Sequence, residues 1–190
     1  FGNNDLPGVM LAGAVRTYIN RYAVLPGGRG LVFKDNDDGW TTAADLMAAG
    51  ADVAAVVDSR GPFVVAELAR RYPNLEAIAG EVNGASGGQR VESVEVTSHT
   101  GSSRRFYCDL VAMSGGWSPT LHLTSHKGHR PRWDDNRANF VPDKLPVGMR
   151  VAGAANGNLA LGEALLTGYR AGLAAAVSCG HAGSMPALPR

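Results

Sequence analysis

The loop Lys34-Asp35-Asn36-Asp37-Asp38-Gly39, with Asp58 19 residues beyond Gly39, comes nearest in residue type and spacing to a cofactor site. A loop of this kind between a strand and a helix can cradle the pyrophosphate of a dinucleotide. Its glycines let the backbone approach the phosphates, and free N–H groups at the helix start face their charge. An acid at the end of the next strand takes the ribose hydroxyls, which is the neighbourhood of Asp58. With Gly39 as the third fingerprint glycine, Lys34 and Asn36 stand where the first two belong, so only the packing glycine is present. Asp35, Asp37 and Asp38 compete with a phosphate for the helix N-terminus. Lys34 is the one feature that could still draw a phosphate; the alternative is a unit that keeps the fold and has lost the ligand.

Two further glycine clusters follow apolar runs: Ser114-Gly-Gly-Trp-Ser-Pro119 and Gly153-Ala-Ala-Asn-Gly157. Backbone at Gly115 and Gly116 can come close to a ligand. The stretch Gly153, Ala154, Ala155, Asn156, placed before a long helix, could present N–H groups to a phosphate or a flavin edge. Turn chemistry alone explains both equally simply.

His122, His126 and His129 lie among Lys127, Arg130 and Arg132. On a helix the three histidines would share a face and could hold a metal. Gly128 and Pro131 oppose a regular helix and no carboxylate falls within the cluster, so the reading is a solvated or partner-facing basic loop, with no metal site. Cys108 has no CxxC partner, and Cys179 reads as structural. Neither a nucleophile elbow nor a Walker loop is present, and no set of residues makes a complete catalytic site.

The elements that must position these residues follow from periodicity and punctuation. Leu11, Val15, Tyr18, Ile19 and Tyr22 predict a helix over 9–22. Leu31–Phe33 reads as a buried strand, Trp40–Ala49 as a helix capped by Asp37 or Asp38, and Val53–Val57 as a second strand ending at Asp58. These make a right-handed βαβ unit. A helix over Pro62–Tyr72 and a strand over Leu75–Val82 follow. Val91–Val96 and Ser102–Phe106 suggest an antiparallel hairpin or meander. Asp109–Met113 is a further strand, 122–139 a surface loop, Met149–Gly153 a last strand and Leu161–Ser178 an Ala-rich helix. The small face of that helix suits packing on a sheet. The tail beyond Gly180 is expected to be loose.

Of 190 residues, 45% are apolar and 18% charged, with a formal charge of +1, which excludes disorder as the dominant state. The near-neutral balance argues against a nucleic-acid binder. No apolar run is long enough to span a membrane and no signal peptide is visible, so the expected location is cytoplasmic.

In this order the pieces resemble the two-dinucleotide-binding-domain flavoproteins. Cys108-Asp-Leu-Val-Ala-Met-Ser-Gly-Gly-Trp-Ser-Pro119 is similar to that family's return from an inserted NAD-type domain to an FAD-type domain. Val151–Gly157 and Glu163–Gly172 are similar to its closing strand, turn and helix. More narrowly, Leu6–Tyr22, Asn36-Asp-Asp-Gly39 and Asp109–Thr120 resemble the alpha subunits of heterotetrameric sarcosine oxidases.

The resemblance implies an α/β fold: a Rossmann-like βαβ domain of NAD type with an antiparallel hairpin over 1–106, then the second part of an FAD/NAD(P)-binding-type domain over 107–190. It implies an internal fragment of a subunit whose complex oxidatively demethylates sarcosine, with FAD in the beta subunit, FMN between subunits and NAD in the alpha subunit. The other subunits of that complex are then the partners. Two departures stand out: the lost fingerprint glycines, and Gly153-Ala154 where flavin enzymes carry Gly-Asp. They imply that this region serves structure or nucleotide binding rather than amine oxidation, with FAD and FMN held elsewhere. Any nucleotide contact is expected from Gly115, Gly116 and Gly153 to Asn156, with Asp58 as second choice. The competing readings are an NAD(P)H-dependent FAD oxidoreductase and a non-catalytic module that docks a partner through His122–Arg132.

Overall fold

A computed structural model describes residues 1–184, and the chain divides into two compact units, Phe1–Gly116 and Trp117–Arg190. The first unit runs β1 (Val9–Leu11), α1 (Ala12–Tyr22), β2 (Arg29–Lys34), α2 (Asp38–Ala48), β3 (Asp52–Asp58), α3 (Pro62–Ala69), β4 (Ala77–Ser86), β5 (Ser93–Ser98), β6 (Ser103–Tyr107) and β7 (Leu110–Ser114). One seven-stranded sheet carries them in the order β1-β7-β2-β3-β4-β5-β6. The ladders from β1 to β4 are parallel, and β4-β5-β6 is an antiparallel meander.

Adjacent residues of a strand point to opposite faces, so each buried strand feeds two cores. Val32, Val56 and Ala112 pack with Val15, Trp40 and Leu46 of the helices. Their neighbours Leu31, Val57 and Val111 share the other cluster with Val94, Val96 and Phe106 of the meander. Strands buried on both faces read as unbroken apolar runs, which is why Leu110–Ala112 and Ala55–Val57 show no alternation.

The expected helix over 9–22 begins only at Ala12. Gly8 is the reason: it takes φ +96°, and a Cβ there would stand 2.7 Å from the Asp109 carbonyl oxygen. That close approach sets Val9–Leu11 beside Val111–Met113 as a strand before the helical period starts. The strand expected to open the second region is instead central to the first unit. Residues of β7 pair with β1 on one side and with β2 on the other, Gly30 opposite Leu110 and Lys34 opposite Ser114. The compact unit therefore runs on to Gly116 rather than stopping at residue 106, and Met113 has ladder partners on both sides.

The second unit holds α4 (His122–Ser125), β8 (Arg132–Asp134), β9 (Asn139–Val141), a 3₁₀ turn (Gly153–Asn156) and α5 (Leu161–Ser178). The stretch 122–139, expected to be featureless, contains a helical turn and one arm of a hairpin. Asp134 builds the hairpin turn by accepting the N–H groups of Asn136 and Arg137, each at 3.2 Å. Trp133 meets Phe140 edge to face across it, with ring centres 5.1 Å apart. The strand expected over Met149–Gly153 does not form. Strands β8 and β9 pair with each other, and Gly153 (φ +64°) turns the chain into 3₁₀ geometry instead. Helix α5 has the expected bounds, but none of its residues is buried. The two prolines of the tail lie outside the described residues.

Candidate nucleotide-binding site

The carboxyl ends of parallel strands are where α/β folds place ligands. Here β2 ends at Lys34, and the ladder sets Lys34 level with Asp58 of β3 on one side and Ser114 of β7 on the other. Residues in register on neighbouring parallel strands point to the same face, so the Lys34 and Asp58 side chains meet. The ammonium donates to Asp58 Oδ2, and both side chains have no solvent exposure.

Arg60, two residues beyond Asp58, completes the arrangement. Its Nε donates to Asp58 Oδ1 at 3.0 Å and its Nη2 to Oδ2 at 2.8 Å, a bidentate pair. Its Nη1 reaches Asp37 Oδ1 at 2.9 Å, and its backbone N–H also donates to Asp58 Oδ1 at 3.1 Å. Lys34 Nζ lies 5.0 Å from the Trp40 ring centre, and Trp40 stacks on Tyr72 with centroids 5.3 Å apart. A planar guanidinium is suited to hold a carboxylate at two points in a site from which water is excluded.

Burial pulls the Lys34 ammonium down to about 8, against the attraction of Asp58. Burial pushes the Asp58 carboxyl up, but Arg60 and Lys34 outweigh it and hold the group below the usual carboxylate value. Asp58 is thus an ionised carboxylate with its oxygens engaged by two cations. Lys34⁺, Arg60⁺, Asp58⁻ and Asp37⁻ sum to zero formal charge.

The loop ahead of α2 is satisfied from within. Asn36 Nδ2 donates to the Ser114 carbonyl at 3.0 Å and to Ser114 Oγ at 2.9 Å. Asn36 Oδ1 accepts the Asp38 N–H at 3.0 Å, the cap that Asp37 or Asp38 was expected to make. The Asp37 carboxylate turns to Arg60 instead. Gly39 serves packing, as expected, though the group it admits is the Lys34 stem: a Cβ at position 39 would stand 2.6 Å from Lys34 Cβ. The residues present do not fit a dinucleotide at this loop. The first fingerprint position is filled by a buried side chain, a helix-start N–H is capped, and the ribose acid is already paired.

The other candidates lie apart in sequence and in unit. Gly115 and Gly116 follow β7 in the first unit. Gly116 takes φ +80°, and a Cβ there would meet Asp35 Oδ1 at 3.0 Å, so its lack of a side chain serves the same acidic loop. Gly153, Ala154, Ala155 and Asn156 form the 3₁₀ turn of the second unit. The Gly153 N–H donates to Thr167 Oγ1 at 3.1 Å and the Gly153 carbonyl accepts from Asn158, which ties the turn to α5. Asn156 Nδ2 donates to Asn158 Oδ1. Four residues then intervene before α5, so the turn does not run directly into that helix.

Among the described residues, no group of three His, Cys, Asp or Glu side chains is placed to hold a metal, and no helix is long and apolar enough to cross a membrane. Cys108 and Cys179 are free thiols. Burial beside Asp109 raises the Cys108 thiol to about 11.

Sequence reasoning missed Arg60. The signal was available: three acids in one short loop and a fourth at a strand end call for a buried cation, and Arg60 stands two residues from Asp58.

No family model matches the chain. It is 41% identical over 165 residues to the sarcosine oxidase subunit alpha of Rhizobium meliloti (strain 1021), covering 87% of this chain and 16% of that protein. It is 36% identical over 188 residues to the subunit of the same name from Corynebacterium sp. (strain P-1), covering 95% of this chain and 19% of that protein. The chain thus spans less than a fifth of the length of these relatives. Among solved structures it resembles a thioredoxin reductase from T. acidophilum (TM-score 0.62, 19% identity, 91% of this chain and 58% of that one). It also resembles an L-proline dehydrogenase from P. horikoshii (TM-score 0.59, 19% identity, 97% of this chain and 33% of that one). These two support the Rossmann-like α/β fold with its appended antiparallel strands, and the sequence matches make the chain a relative of one segment of the sarcosine oxidase alpha subunits.

Proposed function

We propose that this chain is the dinucleotide-domain region of the alpha subunit of a sarcosine oxidase complex, where it serves architecture and nucleotide binding rather than amine oxidation. The observation that carries the reading is the 41% identity over 165 residues to a protein of that name. In this reading the first unit is NAD-type in fold alone, and the second belongs to the FAD/NAD(P)-binding-type half, to which the nucleotide-binding role falls. Sarcosine demethylation, FAD and FMN belong to other parts of the complex, and NAD to the alpha subunit. Both cysteines being free thiols suits a cytoplasmic assembly.

The full-length protein that contains this chain, produced with its neighbouring subunits, tests the reading. Sarcosine-dependent oxygen uptake with formaldehyde release is expected from the co-purified assembly. A protein that purifies alone and oxidises NADH with added FAD would instead support a freestanding flavin reductase.

A second reading, in which the second unit docks a neighbouring subunit, is favoured by its surface. Trp117, Leu123, Trp133 and Phe140 are exposed, in the same stretch of sequence as Lys127, Arg130 and Arg132. Tryptophan and arginine are enriched among the anchors of subunit contacts.

A further inference from the structure

We infer that Lys34 closes the nucleotide cradle of the first unit from inside, so that this unit holds no dinucleotide and its strand ends are joined by an ion-pair chain where a ligand would join them. The inference stands on the geometry of the unit and does not need the sarcosine oxidase reading.

Space argues first. A dinucleotide cradle keeps its first position side-chain-free so that the pyrophosphate can lie on the backbone. At that position Lys34 carries a four-carbon stem, fully buried and in contact with the one fingerprint glycine that remains. Charge argues the same way. The lysine that could have attracted a phosphate has no surface exposed, and its charge is balanced by Asp58. Around it the exposed groups of the loop are acidic: the Asp37 side chain is 73% exposed. A phosphate approaching this loop meets carboxylates first.

The donors and acceptors argue third. A ribose acid must offer a free oxygen to a hydroxyl, whereas Asp58 Oδ1 accepts from Arg60 Nε and the Arg60 N–H, and Oδ2 accepts from Lys34 and Arg60 Nη2. The Asp38 N–H that would help hold a phosphate is given to Asn36. What the chain gains is mechanical. β2, β3 and the loop before α2 are stapled by Lys34, Asp58, Arg60 and Asp37 without a ligand.

The test is hydrogen exchange on the full-length protein with and without millimolar NAD⁺, NADP⁺ and, separately, FAD. No added protection is expected over residues 34–40 and 58–64. Protection of those backbone N–H groups by any of the three would overturn the inference. Two variants read the same question from the side-chain end. Lys34→Met keeps the buried stem and removes the charge, and Asp58→Asn keeps the shape and removes the acid. Both are expected to retain the NAD affinity of the parent within twofold while shifting its unfolding midpoint. A tenfold or greater loss of NAD affinity in either variant, with the fold intact by circular dichroism, would show that these residues serve the nucleotide. Because these readouts follow nucleotide and fold, they are independent of whether the assembly oxidises sarcosine.

Discussion

Lys34 and Asp58 stand opposite each other across the β2–β3 ladder and close a buried ion pair at the carboxyl end of the sheet. In a ligand-binding Rossmann unit these two positions face a cofactor; here they face one another. Desolvating both charges is costly. Their mutual attraction offsets that cost only because Arg60 satisfies the remaining acceptor capacity of Asp58 and Asp37 takes the outer nitrogen of Arg60.

This chain of charges predicts an asymmetry between its members. Asp58→Ala leaves two buried cations, Lys34 and Arg60, without their shared carboxylate, so it should destabilise the protein by about 3–5 kcal/mol, the usual cost of stranding a buried charge. Lys34→Met leaves Asp58 still bidentate to Arg60 and should cost much less. Urea unfolding of the two variants at pH 7 checks this ordering, and equal effects would mean that Arg60 does not compensate Asp58.

Stability should also carry a pH signature. The Lys34 ammonium titrates near 8 in the folded protein, below its ordinary 10.5, because it is buried, with Asp58 and Asp37 pulling the other way and Arg60 adding to the drop. Between those two values the unfolded chain binds more protons than the folded one, so stability from this group rises with pH. Below pH 8 lysine is protonated in both states and the contribution is flat. The stability of the parent relative to Lys34→Met is therefore expected to increase from about pH 8 to pH 10.5. Taking the difference between the two proteins cancels the titrating groups that do not interact with Lys34, and its partners Asp58 and Arg60 keep their charge throughout this window, so a flat difference would remove the buried ammonium as the source.

The β2–α2–β3 unit, the meander and α5 were all legible in the sequence, because each is written in local terms: apolar runs, a polar loop, an Ala-rich period. What was not legible depends on partners distant in the chain. Val9–Leu11 becomes a strand only because Asp109–Met113 lies beside it, and nothing within 9–22 announces that neighbour. Met149–Gly153 has strand composition, yet no ladder forms on it. The candidate site divides in the same way. The missing glycines and the strand-end position of Asp58 were visible directly. The destination of the Lys34 side chain, inward to Asp58 rather than outward to a phosphate, depends on Trp40, Gly39 and Arg60 closing around it.

The two thiols should differ sharply in reactivity. Cys179 is exposed, whereas Cys108 is buried with its thiol raised to about 11 by burial and by Asp109. The thiolate is the reactive species, so at pH 8 Cys108 is ionised to roughly one part in a thousand and is also shielded. An aromatic disulfide reagent is expected to titrate Cys179 within minutes and Cys108 only after denaturant is added. Rapid labelling of Cys108 in the folded protein would mean that the link between β6 and β7 opens readily.

Gly39 offers the most direct check on how the loop is filled. An added methyl at this position would collide with the Lys34 stem, at 2.6 Å from its Cβ and 2.9 Å from its Cγ. Both atoms are buried close to the backbone, so the stem cannot swing aside without breaking the ion pair to Asp58. Gly39→Ala is therefore expected to destabilise the protein by about 1–3 kcal/mol through overpacking. The partner in the collision can be identified by a double-mutant cycle. Lys34→Gly removes the Cβ together with the rest of the stem, so none of the atoms that the added methyl would meet remains. In the Lys34→Gly background the cost of Gly39→Ala should then fall by more than half. Contacting residues couple in this way, whereas independent sites add within about 0.5 kcal/mol. Additive behaviour of the two substitutions would show that Gly39 is required by the α2 backbone itself, and that the Lys34 side chain leaves the cradle free.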